Sequence, residues 1–315
     1  MEIFKDPNVL PCDFNIDHYR IKRCVGVSLH TNTYKCIEET SEYPVIIKEH
    51  FPRELIARST ENPKIITRKS AEKAYEYASN KFSRKAITLN RLIHPGVVPV
   101  LNVIERDNVM YYIMRELSGD SAENTFRTIP TEITVRDLLQ QLLSALSYVH
   151  SHDILHGNIS PSNIHINPNS TATLIGFAPY NVCSPITHTI DMAATSAYAP
   201  IESINLQIDK QGKWSDLYSL AASFYMLMTG QEPMSAKERM CESIPRADLF
   251  CNNPQLKERF TPELLQSLDK AFAVDPNDRW QSAQEWLDAL SAPPTAHDKE
   301  QRKGMFRRLW EWIYV

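Results

Sequence analysis

Apolar and polar residues alternate through the first third of the chain, in short runs broken by turns. The runs 19–27, 33–37, 43–48, 97–105 and 109–116 are rich in valine, isoleucine and tyrosine. Such runs predict strands of an antiparallel sheet. One polar, helix-prone stretch, 70–93, interrupts them. From Thr134 the period changes: Leu138, Leu139, Leu142, Leu143, Leu146 and Val149 fall on one helical face. The segment 216–228 is nearly all apolar, which predicts a buried helix. Segments 262–272 and 282–290 predict two more helices. A strand-rich front and a helix-rich back imply an α+β fold of two lobes, hinged near 115–118. The Ala-Pro-Pro-Thr within 291–299 reads as a linker. The expected division is an N-terminal extension (1–18), a strand-rich lobe (19–117), a helical lobe (118–291), and a linker with an aromatic tail (292–315).

Composition changes this picture little. The chain has 315 residues, 43% hydrophobic and 23% charged, with a net charge of -4. These values suit a globular protein and give no bulk basicity that would call for a nucleic acid. No run of 18 apolar residues is present to span a membrane, and the first residues lack the apolar core of a signal peptide. The six cysteines form no CxxC pair and no Cys/His cluster, so no metal site is expected. Scattered thiols suit a reducing cytoplasm, the expected location.

Ordered landmarks carry more. Gly26 precedes Lys48, the end of Val45-Ile46-Ile47-Lys48, by 22 residues. Glu49-His50-Phe51-Pro52 follows, then Leu92-Ile93-His94-Pro95. Tyr112-Ile113-Met114-Arg115-Glu116-Leu117 reads as a strand running into a hinge, with Met114 as gatekeeper and Glu116 beside it. His156-Gly157-Asn158-Ile159-Ser160-Pro161-Ser162-Asn163, Tyr198-Ala199-Pro200-Ile201-Glu202, the Asp216 segment and Asp275-Pro276-Asn277-Asp278-Arg279 complete the series. In this order the chain resembles the Hanks-type Ser/Thr protein kinases, particularly bacterial ones, over roughly 19–290. The resemblance implies a kinase-like bilobal fold.

The departures from that family's pattern lie where chemistry is done. Asn158 stands where a catalytic aspartate accepts the substrate proton, and its neutral amide is no base near pH 7. Gly157 stands where an arginine would meet an activation-loop phosphate. Gly176, thirteen residues after Asn163, stands where an aspartate would hold Mg²⁺. Ser28 and Thr31 replace glycines of the phosphate loop and hinder backbone approach, which leaves Gly26 to read as a turn glycine. Lys85 stands where a glutamate would pair with Lys48, and is expected to point to solvent, with Glu72 or Glu76 as substitute partners.

The scaffold positions persist. The resemblance implies that Asp216 caps the catalytic-loop backbone, that Glu202 and Arg279 form a buried ion pair, and that His156 packs within the loop. Lys48 and Asn163 have two readings: metal-independent nucleotide binding, or structural relics bracing the cleft. Gly26, Met114 and Glu116 complete the vestigial nucleotide set. The expectation is therefore a pseudokinase: not an enzyme, without a cofactor or magnesium site, acting as a scaffold or regulator for a protein partner such as an active kinase or its substrate. The alternatives are an atypical enzyme with a rebuilt site and a metal-independent ATP sensor. Ser184, Thr187, Thr189, Thr195 and Ser196 read as an ordinary polar loop or as phosphorylation targets. In the tail, Met305, Phe306, Leu309, Trp310 and Ile313 share one helical face beside Arg302, Lys303, Arg307 and Arg308. That pattern suits docking on the chain's own lobe, a partner's groove, or peripheral contact with an anionic membrane.

Overall fold

The computed structural model describes residues 6–59, 63–178, 197–205, 207, 210–241 and 249–291. The aromatic tail and the segment from 179 to 196 lie outside these residues, and so do the expectations placed on them. Strands β1 (Asn15–Ile16), β2 (Tyr19–Val27), β3 (Thr31–Glu38) and β4 (Pro44–His50) open the chain. A short hairpin, β5 (Ile56–Arg58) and β6 (Ile65–Thr67), leads into helix α1 (Glu72–Asn90), then β7 (Val100–Arg106) and β8 (Val109–Arg115). Six of these strands form one antiparallel sheet in the order β1-β2-β3-β4-β8-β7.

The period of two in β4 decides where the chemistry goes. Val45 and Ile47 point into a core with Ile16, Ile21, Tyr34, Cys36 and Ile113. Ile46 and Lys48 therefore point to the opposite face, paired across to Met114 and Tyr112 of β8. Helix α1 covers that second face with Tyr75, Ala78, Phe82, Ala86 and Leu89, spaced three and four apart.

The helical lobe begins with the short β9 (Asp120–Ser121) and α2 (Ala122–Thr125), followed by α3 (Glu132–His150). The Thr131 side chain accepts from the Thr134 amide and caps α3 at its start. Strand β10 (Ile164–Ile166) pairs with β11 (Ala172–Leu174) on one side and β9 on the other, in a three-stranded sheet under the cleft. Then come α4 (Ile201–Ile204), α5 (Lys213–Thr229), α6 (Ala236–Cys241), α7 (Pro254–Lys257), α8 (Pro262–Ala271) and α9 (Ala283–Ser291). Helix α5 is buried on nearly every side and stops at Gly230, whose φ of +73° suits the left-handed end of a helix. One apolar core joins Phe82, Ala86 and Leu89 of α1 to α3, α5, α8 and α9. No helix among the described residues is long and apolar enough to cross a membrane.

The run expected from 97 starts as a strand only at Val100, because Pro99 has no N–H to give a ladder. The β5–β6 hairpin and the three-stranded sheet were not expected. Their strands span two or three residues, too few to show a period.

Candidate active site between the lobes

A cleft of about 760 Å³ separates the sheet from the helical lobe. Val25, Ile46, Val98, Met114, Leu117 and Ile175 give it apolar walls. Gly26, Ser28, Thr31 and Lys48 line its roof, and Asn158, Asn163 and Gly176 its floor. The structure thus brings together the Gly26, Lys48, 114–117, 158–163 and Tyr198 landmarks of the sequence, while the His94, Asp216 and Arg279 landmarks lie outside the cleft. At the hinge, Glu116 lines the opening and accepts from Lys35 of β3 at 2.6 Å. That ion pair has no signature in the sequence, since its members lie 81 positions apart.

Lys48 is buried, and its ammonium group donates to the Phe177 carbonyl at 3.2 Å. Glu72 and Glu76 are exposed on α1 and line a separate groove with Tyr75 and Asn108. They do not face the cleft, which corrects the expectation that one of them pairs with Lys48. Lys85 needs a second correction, for it does not point to solvent. Its stem is part-exposed, while the ammonium end is enclosed and donates to the Leu155 carbonyl at 2.8 Å. The charge also stands 6.0 Å over the Phe177 ring. Burial, and next the charge of Lys48, bring Lys85 down to about 8, although Asp216 pulls the other way.

Gly26 corrects a third expectation. It lies within β2 opposite Thr33, at an irregularity in the pairing, and is not a turn glycine. The turn follows it and is closed by Ser28. The Ser28 hydroxyl accepts from the amides of Thr31 at 3.0 Å and His30 at 3.3 Å, and lies 2.9 Å from the Thr31 hydroxyl. The amides that a glycine-rich loop would offer to phosphates are engaged inside the loop.

On the floor, the Asn158 side-chain amide donates to the Gly176 carbonyl at 3.0 Å. The Asn163 amide donates to the Asn158 carbonyl at 2.8 Å. Gly176 has φ +72°, and a Cβ built on it would lie 2.2 Å from the Asn163 Oδ1. A side chain at 176 therefore needs Asn163 to move. Magnesium in such a site takes carboxylates together with phosphates. The floor of this cleft offers two side-chain amide oxygens, Asn158 Oδ1 and Asn163 Oδ1, and the only acid among the described lining residues is Glu116 at the hinge. No group of three His, Cys, Asp or Glu suited to a metal exists among the described residues. The side chains present do not fit a magnesium ion held by the protein. Phosphates and water would have to supply its ligands.

Beneath the floor, charge is matched. Asp216, at the start of α5, accepts from the backbone amides of His156 and Gly157, both at 2.8 Å, and meets His150 Nε2 at 2.8 Å. Burial alone would raise the Asp216 carboxyl, but His150, His156 and the Gly157 amide outweigh it and hold it below the usual carboxylate range. His156 Nε2 faces the Ile175 carbonyl at 2.9 Å, while Nδ1 accepts from the Asn158 amide at 3.2 Å. Burial keeps this ring neutral, down to about 4. Arg279 grips both oxygens of Glu202, at 2.8 and 3.1 Å, with both side chains buried.

Comparison with known proteins places this geometry. A family model described as "Protein kinase domain" matches residues 19–289. The chain is 28% identical over 226 residues to the serine/threonine-protein kinase PrkC of Bacillus subtilis, covering 67% of this chain and 34% of PrkC. It is 30% identical over 240 residues to the serine/threonine-protein kinase PknA of a Nostoc species, covering 70% of this chain and 41% of PknA. The chain thus spans only a third to two-fifths of those relatives. Among solved structures it resembles PpkA-294 in its apo form, with TM-score 0.70 and 27% identity, over 90% of this chain and 100% of that one. Two expectations fall to these findings. The reading of the chain as no enzyme is overturned, because the family is one of phosphoryl-transfer enzymes and the relatives are named kinases. The reading that it takes no cofactor falls with it, since protein kinases work with ATP and Mg²⁺.

Proposed function

Because the chain belongs to the protein kinase domain family, we propose that it is an atypical protein kinase, one that takes ATP into the cleft between its lobes and passes the nucleotide's presence to a protein partner. The observation that carries this reading is Lys48: a buried ammonium group at the inner end of an apolar cleft, presented by the strand period of β4. The walls from Ile46, Val98, Met114 and Ile175 suit a flat base, and the lysine is a point charge for phosphates.

The chain's own residues divide the work unevenly. Lys48 supplies positive charge at the phosphates. Asn158 and Asn163 hold the floor by amide hydrogen bonds and can orient a hydroxyl, but they cannot accept its proton near pH 7. General-base catalysis is worth about 10²–10⁴-fold, so transfer from this site is expected to be slower by that factor than from one carrying an aspartate at position 158. Slow transfer leaves a long-lived nucleotide complex, and closure of the two lobes around it gives a protein partner something to read. The regulatory role belongs to this reading; its partner is a protein, for instance an active kinase or that kinase's substrate.

Thermal melting with ATP tests the claim. At about 100 times Kd, a ligand stabilises by about 2.7 kcal/mol, which raises the Tm of a chain this size by about 4 °C. Lys48→Ala should abolish most of that shift. Running each arm with and without Mg²⁺ tells whether phosphates must bring the ion with them. The absence of any shift with ATP in either arm would overturn the proposal. Labelled-phosphate transfer, measured in the same samples, sets the rate.

A further inference from the structure

Phe177 is held by two lysines of the strand-rich lobe, Lys48 and Lys85. Lys48 of β4 reaches its carbonyl at 3.2 Å. Lys85 of α1 stands 6.0 Å over its ring and is itself tied to the Leu155 carbonyl at 2.8 Å. From the helical lobe, the His156 ring lies 4.2 Å from the Phe177 ring, and the His156 carbonyl accepts from the Ala178 amide at 2.9 Å. Phe177 is 2% exposed. Gly176, Phe177 and Ala178 are thus fixed from both lobes at once, next to the cleft floor.

Building on the nucleotide reading above, we propose that Lys48 and Lys85 form a clamp on Phe177 whose Lys48 jaw is opened by the phosphates of a bound nucleotide, and that Lys85 is the positioning residue that keeps the clamp in place. An ammonium group gains a direct ion–ion attraction from an anionic phosphate that a neutral carbonyl does not offer. Its bond to Phe177, at 3.2 Å, is already at the long end of the ordinary range, so a small movement toward the cleft breaks it. Lys85 stays behind, because its own bond is to Leu155 and its charge faces a ring. It thereby docks α1 on the loop before His156 directly, at the position where the family pattern places an acid that would pair with Lys48. The charged and titratable groups around Lys85 are Lys48 from β4, Asp216 from α5 and His156 from the loop.

Hydrogen exchange read by mass spectrometry on the full chain tests the clamp, with ATP affinity measured beside it by calorimetry. In the wild type, ATP should speed exchange of the Ala178 amide about tenfold, the worth of one such hydrogen bond. Lys48→Met should show the faster rate without ATP and respond no further. Lys85→Met should speed the same amide in the free chain, while Lys85→Arg, which keeps a charge over the ring, should stay near wild type. In addition, wild-type ATP affinity should rise as pH rises through about 8, because an uncharged Lys85 loosens the clamp that the phosphates must open, and the Lys85→Arg variant should lose that dependence, which a purely structural role would not produce. ATP that binds without changing the Ala178 rate overturns the clamp, as does a Lys85→Met chain that exchanges like wild type. If calorimetry finds no ATP binding, the nucleotide reading fails on its own. The nucleotide-opened jaw fails with it, and equal rates in the free variants would remove the rest of the clamp.

Discussion

Each lobe holds a buried arginine–glutamate pair, and the cleft between the lobes is built on the opposite plan. In the strand-rich lobe Arg58 meets Glu49 at 2.6 Å, with 4% and 0% exposure. Asn32, Tyr34 and Tyr111 also donate to that carboxylate. In the helical lobe Arg279 meets Glu202 at 2.8 Å. On the cleft floor Asn158 and Gly176, and behind it Lys85, stand at three positions that the family pattern fills with acids. A charge inside a packed lobe must be matched in the fold, since nothing else will match it. A lysine beside an open cleft can be matched by what enters. The braces are therefore complete in the free chain, whereas the one acid among the described residues lining the cleft, Glu116, is held by Lys35, and polyphosphate is the ligand that suits the site.

The comparison breaks most sharply at the braces. Arg279→Met leaves Glu202 buried beside Ser215 alone among the side chains that bond it. Removing one partner of such a pair costs about 3–5 kcal/mol, which lowers Tm by about 5–8 °C in a chain of this size. Arg58→Met should cost less on the other lobe, because Asn32, Tyr34 and Tyr111 still donate to Glu49. Replacing both partners by apolar residues, Glu202→Leu with Arg279→Met, should recover much of the loss, because no uncompensated charge remains. A cost below 1 kcal/mol for the single Arg279 change in urea denaturation would mean that the pair is no brace.

Acid should act on the loop above that brace. His156 is neutral in the fold, at about 4 against an ordinary 6.5, with burial as the main cause. Between those values the unfolded chain binds a proton that the folded chain refuses, so stability falls as pH drops from 6.5 toward 4. His50, buried to about 3, works in the same direction. Asp216, held below its ordinary 3.8, adds a further loss as pH falls below that value. His156 alone accounts for about 3 kcal/mol over its window. Urea midpoints at neutral, mildly acid and acid pH should show the decline, and His156→Gln should remove its share. A wild-type midpoint that is flat from neutral pH to the acid end would show that the ring is not held neutral by the fold.

What the sequence made legible was whatever repeats or keeps a fixed spacing. The strand runs and the helical face of α3 announced two lobes, and the ordered landmarks led to Lys48, Asn158, Asn163 and Gly176 lining one cleft. Partnerships were not legible. Nothing near Lys85 says that its ammonium group will find the carbonyl of Leu155, 70 positions away, and opposition to Lys48 suggested solvent instead. Gly26 was misread for a similar reason. A lone glycine suggests a turn, but the strand around it continues and the turn comes at Ser28. The Glu49 network was missed because its donors come from β3, β5 and β8, which share no local pattern.

The smallest change proposed concerns the roof of the cleft and separates two reasons for weak phosphate binding. If the floor alone limits affinity, the Ser28 turn is irrelevant. If the roof contributes, then Ser28→Gly should matter, because the hydroxyl now accepts from the Thr31 and His30 amides and would release both. One amide turned toward a phosphate is worth about 1 kcal/mol net, which is about fivefold in affinity. Calorimetry with ATP should therefore show Ser28→Gly binding about fivefold tighter than wild type, while Ser28→Thr, which keeps the hydroxyl, should not gain. The freed loop also loses its turn-closing bonds, so a lower Tm without ligand is expected alongside the tighter binding. Tighter binding with lower stability would place the cost of the Ser28 turn in the cleft's own chemistry. Unchanged binding with lower stability would reduce Ser28 to a turn residue and leave the two-sided grip on Phe177 as the main control over what the cleft can hold.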